Sequence, residues 1–170
     1  MRKTADIQIH LSPSQVIHLS PGGQNPLIKD IIEKFCPRFA KNGIVIYVGD
    51  TRLAYRDDTY LEELGIKLNS AAKMPDVIVY DPSRNWILLI EAVTSAGPID
   101  GKRRKELKDL FKNDTAGLVF VTAFSDRKTM RRFLDQISWE TEVWIADNPD
   151  HIIHFDGERF LGPYPDTQPT

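Results

Sequence analysis

The chain has 170 residues, of which 41% are hydrophobic and 27% are charged, and this length is sufficient to bury the core of one globular domain. Cys36 is the only cysteine, which excludes a disulfide framework and a zinc site built from thiolates and fits a reducing cytosol. A net charge of -2 gives no general sign of a nucleic-acid-binding protein. Since no segment has the character of a signal peptide or a membrane span, we expect a cytoplasmic protein.

The first half of the chain predicts an arm, a helix and a strand. Residues 1–24 are interpreted as an N-terminal arm or short edge strands. A helix is predicted to begin with Asn25 as N-cap and Pro26 in the first turn, and to end at Pro37. Its apolar residues recur at helical spacing: Leu27, Ile28, Ile31, Ile32 and Phe35. "GIVIYVGDT" then predicts a buried strand that leads into a polar loop, and "DDTYLEELG" predicts a short capped helix.

The second half predicts a hairpin followed by alternating helices and strands. The hairpin pairs Val77–Asp81 with Trp86–Val93 through the turn "DPSRN". A helix follows from about Asp100 to Lys112, then the strand "AGLVFVTAF". The next helix is predicted to be capped by Ser125 and to turn four apolar residues inward: Met130, Phe133, Leu134 and Ile137. "EVWIAD" and "HIIHF" predict two more strands, the second at an edge. This order predicts an α/β fold with a mixed central β-sheet flanked by helices. The three tryptophans, Trp86, Trp139 and Trp144, are assigned to the core.

Two carboxylates are predicted to meet on the hairpin. If Asp81 opposes Trp86, then Asp76 lies opposite Glu91, and Cβ atoms at opposed positions are about 4.5–5.5 Å apart. Two negative charges at that distance repel unless a positive charge lies between them, and a divalent cation would supply it. A register shift of one residue would place the two on opposite faces. Otherwise the aspartate is an ordinary turn residue, and the glutamate reaches solvent or pairs with an arginine.

The chemistry of the two acids favours Mg²⁺, which prefers oxygen ligands and keeps several waters. The following helix opens with "KRRK", although cations at a helix N-terminus oppose the macrodipole. Because Arg103 and Arg104 lie four and three residues before Leu107, at least one is predicted to lean toward the sheet near Glu91. Carboxylates, a metal ion and inward cations fit phosphodiester hydrolysis. A solvated helix face is the ordinary alternative for such a basic run.

The sequence also resembles a known family of nucleases. "PD" followed by an acid near the end of the next strand resembles the PD-(D/E)xK superfamily. Four blocks resemble more specifically the catalytic region of the BsuBI/PstI type II restriction endonucleases: "YVGDT", "KMPDVIVYDPSRNWILLIEAVTSAGPIDGKRRKEL", "AGLVFVTAFSDR" and "WETEVWIADNPDHIIHFDGERFLGP". The resemblance runs in order from about Ile17 to Gly162.

This resemblance implies a restriction-endonuclease-like (PD-(D/E)xK) core that cleaves double-stranded DNA at a short palindrome with Mg²⁺, leaving 5′-phosphate ends. It implies Asp76 and Glu91 as metal-binding acids, a homodimer with one site for each strand, and a cognate DNA methyltransferase as functional partner. The implied domains are an arm (1–24), a nuclease domain (25–162) and a tail (163–170). Asp50 and Glu33 are further acids that are expected less strongly to reach the metal.

The chain departs from the family pattern in two respects. Val93 occupies the position of the motif lysine, so Lys73, Lys102 and Arg103 are the candidates for the missing catalytic cation. Family members also carry a further N-terminal region that these 170 residues do not contain, and specificity is expected to depend on it. Two other functions therefore remain open: a DNA-binding module that has lost catalysis, and a protein-interaction domain with structural acids.

Overall fold

A mixed β-sheet of seven strands forms the centre of the computed structural model, which describes residues 5–49, 53–67, 73–112 and 116–155. In chain order the strands are β1 (Ile7–Ser12), β2 (Gln15–Leu19), β3 (Ile44–Gly49), β4 (Leu53–Arg56), β5 (Val77–Asp81), β6 (Trp86–Val93), β7 (Gly117–Phe124), β8 (Thr141–Ile145) and β9 (Ile152–Phe155). The α-helices are α1 (Asn25–Asp30), α2 (Cys36–Phe39), α3 (Asp58–Glu63), α4 (Gly101–Leu110) and α5 (Arg127–Phe133).

The strand order in the central sheet is β4-β3-β5-β6-β7-β8-β9. β6, β7 and β8 run parallel, as expected where a helix connects successive strands, and the other neighbours are antiparallel. β1 and β2 form a separate antiparallel hairpin, and the predicted edge strand is confirmed as β9. Within the described residues, no helix is long and apolar enough to cross a membrane.

The β5–β6 hairpin has the predicted bounds, and of the two registers that the sequence left open it has the one in which Asp81 opposes Trp86. Asp81 pairs with Trp86, and the pairing continues without a bulge to Val77 opposite Ile90. The buried carboxylate of Asp81 fixes the turn, because it accepts hydrogen bonds from the Ser83 hydroxyl (2.6 Å) and from Arg84 Nε (2.6 Å). One step beyond Val77 and Ile90, this register brings Asp76 and Glu91 to the same end of the hairpin.

The sheet buries a hydrophobic cluster on each face. One face carries Val77, Val79, Leu88 and Ile90 and packs against α1 and the turns that follow it. The opposite face carries Ile78, Leu89 and Phe120 and packs against Leu107 and Phe111 at α4. Helices on both faces of a mixed sheet confirm the predicted α/β class.

The first helix differs from the prediction at both ends. Gln24 is the N-cap and Asn25 is already helical. The helix does not end at Pro37, because a π-helical turn (Ile31–Phe35) joins α1 to α2 and places Pro37 in the first turn of α2. Proline is tolerated there, since the first N–H groups of a helix need no intrahelical acceptor. The polar loop predicted after β3 also contains the short strand β4.

Three further predictions on side chains were wrong. Asp126, not Ser125, caps α5, and its side chain accepts from Thr129 N at 2.7 Å. Leu134 is 46% exposed because a 3₁₀ turn (Leu134–Gln136) replaces the last α-helical turn and rotates the side chain outward. Trp144 is buried as predicted, whereas Trp86 and Trp139 are exposed.

Candidate active site

Asp76 precedes β5, and among the described residues its carboxylate accepts hydrogen bonds from Gln24 and from the backbone of Ala92. Oδ2 accepts the backbone N–H of Ala92 on β6 at 2.8 Å, in the place that a strand carbonyl would take if β5 continued. Oδ1 accepts from Nε2 of Gln24, the N-cap residue of α1, at 2.7 Å. The aspartate is therefore more than a turn residue, because its side chain joins the hairpin to the first helix.

Glu91 lies on β6 with its carboxylate buried against Arg103 of α4. Glu91 Oε1 accepts from Arg103 Nε at 2.8 Å and from Nη2 at 2.5 Å, and the two residues are 7% and 9% exposed. Glu106 lies on the other side of the guanidinium, with Oε2 at 3.6 Å from Nη1. The prediction that a cation of this helix leans toward Glu91 is confirmed for Arg103.

The start of α4 explains why Arg103 points into the molecule. The N–H of Ile99 donates to the hydroxyl of buried Thr122 on β7, which is paired with Glu91 in the sheet. Asp100 then caps the helix by accepting the N–H of Arg103 at 2.7 Å. Leu107, one turn after Arg103, is fully buried, so the same helix face carries the arginine to the sheet.

Val93, at the position of the motif lysine, belongs to a different environment. It is 2% exposed and packs in a hydrophobic cluster with Phe124, Ile137, Val143 and Ile145. A charged amine at this position would lie among apolar side chains, so the described structure gives a physical reason for valine here.

Tyr47 is a neighbour of Asp76 that sequence reasoning did not single out. It lies on β3, on the α4 face of the sheet, and is 9% exposed. Burial raises the pKa of the Tyr47 phenol, and the negative charge of Asp76 raises this pKa further. In the sequence this residue is one apolar position in a buried strand, and Gln24 is one polar residue before a helix. Neither position carries a motif that would have identified it.

Among the described residues, Lys73, Lys102 and Glu33 make no hydrogen bond or ion pair with the two carboxylates. Lys73 and Lys102 are exposed, and neither makes an ion pair within the part of the chain that the structure describes. Glu33 accepts from the N–H of His10 (3.4 Å) and pairs with Lys29 (3.0 Å). Asp50 lies outside the described residues.

The residues present fit a Mg²⁺ site of the two-acid kind. Among the described residues, no group of three or more acidic, histidine or cysteine side chains is placed to hold a metal ion. Mg²⁺ needs no such cage, because one or two carboxylates with waters and a substrate phosphate satisfy it. The hydrogen bonds at Asp76 and Glu91 are compatible with this role, since a carboxylate offers about four lone-pair sites.

Comparison with known proteins identifies the family. A model of the BsuBI/PstI restriction endonuclease domain matches residues 7–158. The chain belongs to this family. It is 51% identical over 165 residues to the type II restriction enzyme BsuBI of Bacillus subtilis, covering 96% of this chain and 52% of that enzyme. It is 33% identical over 169 residues to the type II restriction enzyme AplI of Arthrospira platensis, covering 94% and 52%.

The fold of the chain also matches a solved structure. The structure of the SdaI restriction endonuclease matches this chain with a TM-score of 0.87 and 45% sequence identity, covering 95% of this chain and 52% of that one. The restriction-endonuclease fold predicted from the sequence is thereby confirmed. The chain spans about half the length of each of these relatives.

Proposed function

We propose that this chain is the DNA-cleaving domain of a type II restriction endonuclease and that it hydrolyses phosphodiester bonds of double-stranded DNA with Mg²⁺. One observation carries the proposal beyond family membership: adjacent strands of this family's fold bring Asp76 and Glu91 to one end of a hairpin, with Arg103 bonded to the second acid. This arrangement supplies oxygen ligands and a positive charge at one place, as phosphodiester hydrolysis requires.

Asp76 and Glu91 would hold the metal ion, which when bound lowers the pKa of a water nucleophile and neutralises charge on the phosphate. The chain's own residues hold the two acids in position. Gln24 and the N–H of Ala92 fix the orientation of Asp76, and Arg103 fixes that of Glu91. Rigid ligands matter because a displacement of about 1 Å at a catalytic group can cost about 100-fold in rate.

Arg103 is the strongest of the three candidates for the missing motif cation. Its planar guanidinium can donate to two phosphate oxygens at once, and it already contacts an acid of the site. We propose that it stabilises the negative charge that develops on the phosphate oxygens. Lys73 and Lys102 are exposed, so their side chains are proposed to contact the DNA backbone rather than the reacting phosphate.

The remaining features of the proposed function follow from its chemistry. A palindromic site presents the same sequence on both strands, so a homodimer would place one active site at each scissile bond. Host DNA that carries the same site needs protection, which a cognate DNA methyltransferase would supply. We also propose that the enzyme acts in the cytoplasm, where it would meet its DNA substrate.

A specific observation favours a second function. Glu91 and Arg103 form a closed, buried ion pair, and Val93 replaces the motif lysine, as in a nuclease fold that binds DNA without cutting it. A domain that binds only protein is the third possibility. Plasmid and phage DNA incubated with the protein in Mg²⁺ or EDTA would separate these functions.

The proposed enzyme produces discrete fragments in Mg²⁺ alone, and their ends give the recognition sequence and a 5′-phosphate. Salt-dependent DNA binding without any cleavage would instead support the inactive DNA-binding module. Absence of DNA binding at low salt would support the protein-interaction domain.

A further inference from the structure

We propose that the Tyr47 hydroxyl is a further active-site group, which donates a hydrogen bond to a non-bridging oxygen of the scissile phosphate. This inference rests on the proposed function, since it deepens the account of the same site. It is carried by the position of the ring, by the glycine that makes room for it and by the surroundings of the hydroxyl.

The ring of Tyr47 points toward the end of β3 that adjoins Asp76. Tyr47 and Gly49 are two residues apart on one strand and therefore share a face of the sheet. A methyl group on Gly49 would lie 2.5 Å from the Tyr47 hydroxyl and 2.8 Å from Cε1 and Cζ. The phenol thus lies directly over Gly49, in space that any other residue at position 49 would fill.

Gly49 is in turn the backbone neighbour of Asp76. Its N–H donates to the carbonyl oxygen of Asp76 at 2.9 Å, one step beyond the pairing of Val48 with Val77. The hydroxyl of Tyr47 therefore lies over the strand end beside one of the two proposed metal ligands. Glu91 occupies the same end of the next strand, on the same face.

The surroundings of the hydroxyl leave it available as a donor. The hydroxyl oxygen makes no hydrogen bond within the described ranges of the chain. It is also not one of the completely buried side-chain atoms that lack a partner there. A buried tyrosine usually finds a partner for its O–H group, so a hydroxyl that opens at the site end of the sheet is suited to a ligand oxygen. A phosphate oxygen bound between Asp76 and Arg103 would supply that partner.

The first test compares Tyr47→Phe with the wild-type protein in single-turnover cleavage and in DNA binding. Loss of one donor to a developing oxyanion should lower the cleavage rate at least about 10-fold and leave the Kd for DNA within about 3-fold. Tyr80→Phe is the matched control, because Tyr80 lies on the same sheet face at the opposite end of β5 and packs against Tyr60. Equal rates for Tyr47→Phe and wild type would overturn the inference.

Gly49→Ala tests the same contact from the other side. Its methyl group should displace the phenol and lower the rate as Tyr47→Phe does, and the double variant should be no slower than the slower single variant. Additive losses would show that the two substitutions act independently and would contradict the proposed geometry.

A measurement that needs no cleavage separates this inference from the proposed function. Protein labelled with 3-fluorotyrosine gives a ¹⁹F resonance for Tyr47, identified by its absence in Tyr47→Phe, and thymidine 5′-monophosphate in Mg²⁺ should shift it but not the Tyr80 resonance. If this shift occurs and no DNA is cut, the proposed function fails and only the contact of Tyr47 with a phosphate oxygen stands. If DNA is cut and the resonance does not move, the proposed function stands and the assignment fails.

Discussion

Glu91 and Arg103 serve two purposes in this account, since the pair is both a buried element of the fold and part of the proposed site. Burying two charges is costly, and their mutual attraction repays the cost only while both partners are present. The arginine also holds a carboxylate that would otherwise repel Asp76 when no cation lies between them. Stability and the proposed catalysis are therefore expected to be coupled at these two residues.

Removing one member of this pair should be strongly destabilising. Glu91→Gln leaves the Arg103 guanidinium buried without its anion, and we expect the free energy of unfolding to fall by about 3–5 kcal/mol. Urea denaturation measures this loss. Glu140→Gln is the control, since it removes the carboxylate from the partly exposed pair with Arg104 and should cost no more than about 1 kcal/mol. Equal losses in the two variants would mean that the buried pair contributes little.

Restoring the motif lysine should not restore a catalytic cation. Val93→Lys places an ammonium in the cluster around Phe124 and Val143, and the desolvation penalty should lower the free energy of unfolding by several kcal/mol. Val93→Met controls for side-chain length, because its cost of about 1–3 kcal/mol reflects overpacking alone. A Val93→Lys protein that is stable and cleaves DNA faster would contradict the assignment of this role to Arg103.

At the scale of the elements, the hairpin was predictable because a local signal sets its register. Asp81 and the residues after it specify the turn, and counting from Asp81 opposite Trp86 gives the position of Asp76 relative to Glu91. Helical spacing likewise predicted that at least one of Arg103 and Arg104 leans toward the sheet near Glu91. The sequence left open which of the two arginines reaches Glu91, because that depends on how Ile99 binds Thr122 on β7.

The errors have physical causes that lie outside local patterns. Proline usually ends a helix, but the π-helical turn before Pro37 lets a new helical turn begin there. β4 is only four residues long, which is too short to show an alternation of apolar and polar residues. It forms through its pairing with β3, which its own sequence does not reveal. The hydrogen bond from Gln24 to Asp76 joins residues 52 positions apart, and no residue spacing in either segment predicts it.

The turn of this hairpin should give the protein a defined acid sensitivity. The hydrogen bond from the Ser83 hydroxyl, with Arg84, holds the pKa of Asp81 below its usual value. Because the folded pKa is lowered, the stabilisation is fully present above the unfolded pKa of about 3.9 and is lost as the pH falls through the folded pKa.

Asp81→Asn should therefore lower the free energy of unfolding at pH 7 by about 1.5–3 kcal/mol and flatten its fall below pH 4. Urea titrations over a pH series measure both effects. Asp58→Asn is the control, since Asp58 is an exposed partner of Arg56. If the free energy of unfolding of Asp81→Asn fell below pH 4 as steeply as that of the wild type, the Asp81 carboxylate would not be the source of the acid sensitivity.

At the scale of the whole molecule, the fold and the proposed site lie in a chain that covers about half of its relatives. The hydrolytic chemistry proposed here draws on residues of β3, β6 and α4, on Asp76 directly before β5 and on Gln24 at the start of α1. In the proposed enzyme, the choice of DNA sequence would depend instead on base contacts in a groove and on the spacing of two sites in a dimer. Cleavage chemistry and sequence specificity are therefore expected to be separable by mutation.

The most direct test is the single-turnover rate of DNA cleavage in Mg²⁺ for Asp76→Asn, Glu91→Gln and Arg103→Lys, with the Kd for DNA and the thermal melting of each variant measured on the same samples. We predict that the two acid variants lose cleavage by at least about 100-fold, and that the arginine variant loses at least about 10-fold, while the folded fraction of each still binds DNA. Cleavage at the wild-type rate by a folded Asp76→Asn or Glu91→Gln protein would contradict the assignment of the active site to these carboxylates.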